Sequence, residues 1–224
     1  MLDAIYAAYG RSWDLGVASD DAEVLRDEGV HLAQVLASLL PEEPEALALH
    51  ALLESCEARS VAKRVGGFTP LDAQDQSLWD HARIERAEVL LRRASVHATP
   101  GRYQIEAAIQ SCHVARRLRG LDTSEALLEL YSLLLTIAPS LGAELGAVAA
   151  LARVEGPERA LARLDTIDPL RVREHQPYWA LRADLLGRAG LDPSDAFERA
   201  IALTVDPGVR RWLLAARRAA TVAS

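Results

Sequence analysis

Residues 122–192 read DTSEALLELYSLLLTIAPSLGAELGAVAALARVEGPERALARLDTIDPLRVREHQPYWALRADLLGRAGLD. Three helix starts punctuate this stretch. Asp122 stands three residues before Glu125, the spacing of a capping box with aspartate as the cap. Gly156-Pro157-Glu158 and Asp192-Pro193 place proline just inside a helix, where its fixed φ costs nothing. The starts lie 34 and then 36 residues apart, from Asp122 to Gly156 to Asp192. Between them Leu127, Leu130, Tyr131 and Leu134 repeat at i, i+3, i+4 and i+7, one face of a helix.

A helix pair every 34 residues or so is the tetratricopeptide spacing. Phe197 and Ala200, followed by Ala202 and Leu203, fit the second helix of such a unit. Upstream, the helical period continues without that repeat. Leu25, Leu32, Leu36 and Leu39 predict one buried face on a helix starting near Asp20; Leu49, Leu52, Leu53 and Cys56 predict another. Ile84, Ala87, Leu91 and Ala94 form a further stripe, as do Ile105, Ala108, Ile109 and Cys112. No alternating strand of useful length is present. Ala and Leu dominate a chain in which 50% of residues are hydrophobic and 5% aromatic, a helix-forming composition. The expected fold is all-α, a tetratricopeptide-like solenoid of helical hairpins. It has an irregular helical part over 1–120 and regular helix pairs over 121–224, read as one continuous unit.

Charge and cysteine usage narrow the function. The formal net charge is −7, which opposes non-specific binding to phosphate backbones, so no direct nucleic-acid partner is expected. Lys63 is the only lysine among 25 Lys and Arg, a bias common in GC-rich bacterial genomes. Cys56 and Cys112 fall on apolar sides of helical patterns and read as reduced core thiols rather than a disulfide framework. The start, Met1-Leu2-Asp3-Ala4-Ile5, has no basic segment of an export signal, and no apolar run is long enough to span a bilayer. The expected location is cytoplasmic.

Candidate sites are few. Val65–Ser77 is the longest stretch without helical period. Such a connection is either functional or a surface crossover capped by Asp75 or Ser77. His50, Glu54 and Glu57 share a helical face, but no second cluster completes a metal site, and a solvated polar face is the better reading. Cys112 and His113 are adjacent, so on a helix they diverge by about 100° and form no local nucleophile–base pair. Phosphate-cradling glycine loops and nucleophile elbows are absent, and neither an enzyme nor a cofactor or metal is expected. Arg210, Arg211, Arg217 and Arg218 make a basic stripe on the last helix, more in keeping with solubility than with a binding surface. The candidate binding residues are Asp75, Trp79 and Asp80 from the connection, with Tyr103, Gln104 and His113 on the following helix.

Four stretches carry a family resemblance. LPEEPEALALHALL (40–53), LDAQDQSLWD (71–80), GRYQIEAAIQSCHVAR (101–116) and HQPYWALRADLLGRAG (175–190) occur in that order. Together they resemble the helical, tetratricopeptide-like C-terminal extension of one group of bacterial extracytoplasmic-function sigma factors. The resemblance implies a domain that tunes transcription initiation by contacting RNA polymerase or a sigma factor. Ile5-Tyr6-Ala7-Ala8-Tyr9 resembles the start of the extension itself, so no counterpart of the promoter-reading and polymerase-gripping domains is expected within this sequence, which is either an excised fragment or a free-standing relative. An Asn-Arg pair of that family is replaced by Gly146 and Ala147, and a glycine-rich motif is reduced to Gly66-Gly67. The expected function is a regulatory protein-interaction domain. The alternative is a small-molecule sensor with a pocket between Asp75–Trp79 and Tyr103–Gln104.

Overall fold

Between Ala46 and Leu53 His50 is the one polar residue, so a helix there has no side to give to water. The computed structural model, which describes residues 1–14, 20–96 and 100–223, resolves this by surrounding it. Helices α1 (Leu2–Asp14), α2 (Asp20–Leu39) and α3 (Pro44–Glu57) are followed by the short α4 (Ser60–Arg64), α5 (His81–Ala94) and α6 (Arg102–Arg119). α1, α2, α5 and α6 all pack on α3, in which residues 46 to 55 are buried without a break. The expected single buried face is therefore replaced by burial on every side. The core of this part joins Leu49, Leu52 and Leu53 to Ile5, Tyr9, Leu36, Ala87 and Tyr103.

The stripe expected on α2 is corrected as well. Leu36 is buried, but Leu32 and Leu39 face solvent. The helix is held through Val30 and Leu36 together with the small residues Ala22, Gly29, Ala33 and Ala37. The reason is distance: a Cβ on Gly29 would lie 3.1 Å from Cβ of Tyr9, so small residues let α2 sit close to α1. Leu32 and Leu39 stay on the outside.

Three 3-10 turns lie along the Val65–Ser77 connection and its end: Val65–Gly67, Leu71–Ala73 and Gln76–Leu78. It ends on Trp79, buried with Ala58, Ala62, Ile84 and Val114. α6 starts at Gly101 through a distant partner: Glu45, in the first turn of α3, accepts from the backbone N–H of Tyr103 (2.9 Å) and of Gln104 (3.0 Å). That satisfies two orphan donors and sets a carboxylate against the positive helix end.

The chain divides into two compact units, one made of 1–65 and 69–123, the other of 124–224 with Gly66–Phe68. The second unit contains α7 (Ser124–Ile137), α8 (Leu141–Val154), α9 (Pro157–Leu164), α10 (Pro169–Val172), α11 (Gln176–Arg188), α12 (Ser194–Leu203) and α13 (Pro207–Ala223). α7 pairs with α8, α9 packs on α8 and α11, and α11 pairs with α12, which in turn meets α13. The helices at the three starts, α7, α9 and α12, begin at Ser124, Pro157 and Ser194, steps of 33 and 37 residues. Gly156, at φ +91°, turns the chain into α9 in a backbone region that a side chain would strain. Gly146 leaves room for the Tyr131 ring, which a Cβ would meet at 2.3 Å. Among the described residues the protein is all-α: thirteen α-helices, no strand, and no helix long and apolar enough to cross a membrane.

Gly66–Phe68 lies against α13. Arg211 donates to the Gly66 carbonyl (3.2 Å), Phe68 meets Trp212 edge to face, and Gly67 touches Gly208 backbone to backbone. A Cβ on Gly208 would stand 2.6 Å from the Gly67 carbonyl carbon. Gly208→Ala is expected to destabilise the protein by about 2 kcal/mol in urea unfolding, as overpacking does. Gly187→Ala in α11, whose new methyl meets nothing within 4 Å, is expected to be neutral or stabilising by up to roughly 1 kcal/mol.

Candidate functional site

The polar residues of the central helix find their partners inside the first unit. His50 and Glu54 are one turn apart on α3, and Arg83 and Arg86 are three apart on α5, so each pair shares a face. The faces meet: Arg83 Nη1 and Arg86 Nη2 both donate to Glu54 Oε2, at 3.1 and 3.2 Å. Arg83 Nε also lies 3.7 Å from Asp80. On the other carboxylate oxygen, His50 Nε2 stands 3.5 Å away, too far for a good hydrogen bond, and it has no hydrogen-bond partner among the described residues.

α2 completes the site. Asp27, Val30, His31 and Gln34 recur at i, i+3, i+4 and i+7 and form the third wall of an open cleft of about 470 Å³. Glu54 is 5% exposed at the bottom; Arg86, 52% exposed along its side chain, reaches to the rim. Burial by itself would raise the Glu54 pKa, but His50, Arg83 and Arg86 outweigh it and hold the carboxyl below its ordinary 4.5.

The solvated polar face expected of His50, Glu54 and Glu57 is thus overturned. Glu57 faces inward too: it accepts from Tyr9 Oη at 2.8 Å, and the buried Arg26 lies 3.7 Å away. A polar pattern at i, i+4 and i+7 looks the same whether it meets water or arginines. Here the arginines come from a helix about 30 residues downstream, and no local signal announces them. Arg83, Arg86, Asp27, His31 and Gln34 were not legible as site residues. Among the described residues no group of three or more His, Cys, Asp or Glu is placed to hold a metal.

The residues singled out in the sequence lie elsewhere and apart. Asp75 caps the 3-10 turn by accepting from Ser77 N (2.9 Å), a bond that lowers its pKa; Asp80 caps α5 through Arg83 N (3.0 Å). Trp79 is buried beside Val114, with the Arg59 guanidinium 5.8 Å from its ring. Tyr103 is buried at the opposite end of α6 and donates to Asp3 (2.6 Å), while the Arg102 guanidinium lies 5.0 and 5.3 Å from the rings of Tyr6 and Tyr103. The side chain of Gln104 accepts from Gly101 N and donates to the Ala94 carbonyl. Eleven residues of helix, roughly 16 Å, separate Tyr103 from Val114, so these side chains do not line one pocket. His113 is half-buried near the Val114 end. Both cysteines are free thiols whose pKa burial raises. Of the α13 arginines, Arg210 and Arg211 donate to the carbonyls of Thr204 and Gly66, and Arg217 lies 3.7 Å from Glu198.

Because the folded-state pKa of Glu54 is depressed, its contribution to stability is present above about pH 4.5 and lost as pH falls through the folded value. Glu54→Gln is expected to cost ~2 kcal/mol at pH 7 and to flatten the acid limb of a stability-versus-pH curve below pH 4.5. An unchanged acid limb would mean that the arginines do not act on Glu54. Glu45→Ala removes the cap on α6 and is expected to lower stability by about 1–2 kcal/mol, measured by urea unfolding.

Residues 1–95 match the model of a family described as Family of unknown function (DUF6596), and every residue named as lining the cleft falls within that stretch. An uncharacterized protein of Rhizobium meliloti (strain 1021) is 36% identical over 196 residues, which cover 85% of this chain and 45% of the relative. The chain thus spans less than half the length of the curated relative that it matches. No solved structure matches it.

Proposed function

We propose that this chain is a non-catalytic regulatory protein-interaction domain, related to sigma-factor extensions, that modulates transcription initiation by contacting a sigma factor or RNA polymerase. The observation that supports the reading best is the cleft between α2, α3 and α5. Its charged side chains are held in place by one another before any partner arrives. Glu54 fixes two guanidiniums, each of which has further N–H donors beyond the one given to Oε2. Groups already ordered lose little entropy on binding. Two arginines presented this way suit acidic or carbonyl-bearing groups of a partner. The four stretches that resemble a sigma-factor extension support that choice of partner class.

Affinity purification of the tagged protein from bacterial lysate, read by mass spectrometry, tests this. RNA polymerase subunits or a sigma factor are expected with the wild type and at least tenfold less with Arg86→Ala, whose fold is checked by circular dichroism. Asp75 and Asp80 are unsuitable as control positions, because reversing their charge would remove two caps. Absence of both polymerase and sigma factor from the wild-type sample would overturn the reading.

One feature favours a second reading, a small-molecule sensor at the same cleft: His50, 8% exposed, holds Nε2 in its wall without a hydrogen bond, 3.5 Å from Glu54. Ligand sites use a few such convergent polar groups to fix orientation. A thermal-shift screen is expected to return compounds that raise Tm for the wild type and not for His50→Phe.

A further inference from the structure

The cleft between α2, α3 and α5 carries unused charge on two walls. On α2, Asp27 is exposed, and its carboxylate has no hydrogen-bond or ion-pair partner among the described residues. It lies level with Glu54. α2 runs antiparallel to α3 across the turn at 40–43, and the neighbouring Arg26 reaches Glu57, about one turn beyond Glu54. On α5, Arg83 and Arg86 each give one N–H to Glu54 Oε2 and keep further donors. Among the described residues neither guanidinium comes within 4.0 Å of Asp27. A free carboxylate and two partly free guanidiniums thus line the same open space. In its lining His50 is 8% exposed, and its Nε2 makes no hydrogen bond.

The charge of the lining selects the ligand. Asp27 and Glu54 balance Arg83 and Arg86, so with both histidines neutral the formal charge is zero. A simple oxyanion would gain the guanidiniums but meet two carboxylates. A metal cation would meet the guanidiniums, and among the described residues no group of side chains is placed to hold one. An apolar molecule fits poorly, since Val30 is the one apolar residue among the described lining. A molecule that carries both signs is matched at each end. We infer that the cleft binds a small zwitterion of the amino-acid class, with Arg83 and Arg86 on its carboxylate, Asp27 on its ammonium and His50 Nε2 on a polar atom between them. Glu54 is a positioning residue, which holds the guanidiniums for the ligand. The volume of about 470 Å³ lies within the range of small-molecule clefts. This rests on the second reading of the cleft, a small-molecule sensor, and gives that sensor its class of ligand.

Isothermal titration calorimetry of the full chain with each of the twenty common amino acids is expected to give saturable binding for at least one. Its N-acetyl form, which lacks the ammonium, and its carboxamide form, which lacks the carboxylate, are expected to bind at least tenfold more weakly. Asp27→Asn is expected to weaken the free amino acid at least tenfold and to leave the N-acetyl form unchanged. Arg86→Gln is expected to weaken the free amino acid as much and to leave the carboxamide form unchanged. Circular dichroism checks that both variants keep their fold; Asp27, exposed and without a partner among the described residues, is the position whose loss disturbs no other contact. No saturable binding of any amino acid, equal binding of the N-acetyl form, or tighter binding of inorganic phosphate would overturn the inference. So would amino-acid binding that Asp27→Asn leaves intact. Thermal-shift hits of another class that are lost in His50→Phe, with no amino acid bound, would sink the zwitterion and leave the sensor reading standing; no hit of any class would sink both.

Discussion

Ten successive residues of α3 are buried, and two of them are a histidine and a glutamate. Taking a carboxylate out of water costs several kcal/mol unless charge and hydrogen bonds replace the lost hydration. The rest of the first unit is arranged to meet that requirement. α5 must turn Arg83 and Arg86 toward Glu54, and α2 must bring Arg26 to Glu57. α1 contributes the Tyr9 hydroxyl. Apolar contacts alone would let these helices rotate against α3; the paired charges fix the rotation. The cleft follows from the same constraint, since its floor is the ion cluster and its walls are the helices so positioned.

The helical class was legible because it rests on local facts: period, proline position and glycine stops. The start at Gly156-Pro157 falls where α9 begins, with Gly156 as the cap and Pro157 as the first helical residue. What the sequence concealed was azimuth. Large residues drew attention on α2, yet glycine and alanine share its seat with Val30 and Leu36, and Gly29 sets the close approach to Tyr9. His50 and Glu54 were misread for a similar reason: their pattern is local, while their partners are long-range. Asp75 and Asp80 attracted notice as acids beside an aromatic, and the structure uses both as caps.

α2 belongs to two surfaces at once. One side closes the cleft with His31 and Gln34, and the next side round the helix carries the exposed Leu32, Val35 and Leu39. Its core side sets Val30 and Leu36 among the small residues Gly29, Ala33 and Ala37, so close approach to α1 and burial of larger side chains share one face, while Leu32, Val35 and Leu39 stay outside.

The boundaries of sequence similarity and of folding do not coincide. The family match stops at residue 95, after α5, whereas the compact unit runs to Thr123 and includes α6. α6 covers α3 and takes its first-turn cap from Glu45, deep inside the matched stretch. The matched residues by themselves would leave one side of the central helix bare and a carboxylate without its amides. Any rearrangement that moves this module between proteins must therefore carry the 25 or so residues beyond the match, or supply another helix start for Glu45 to hold.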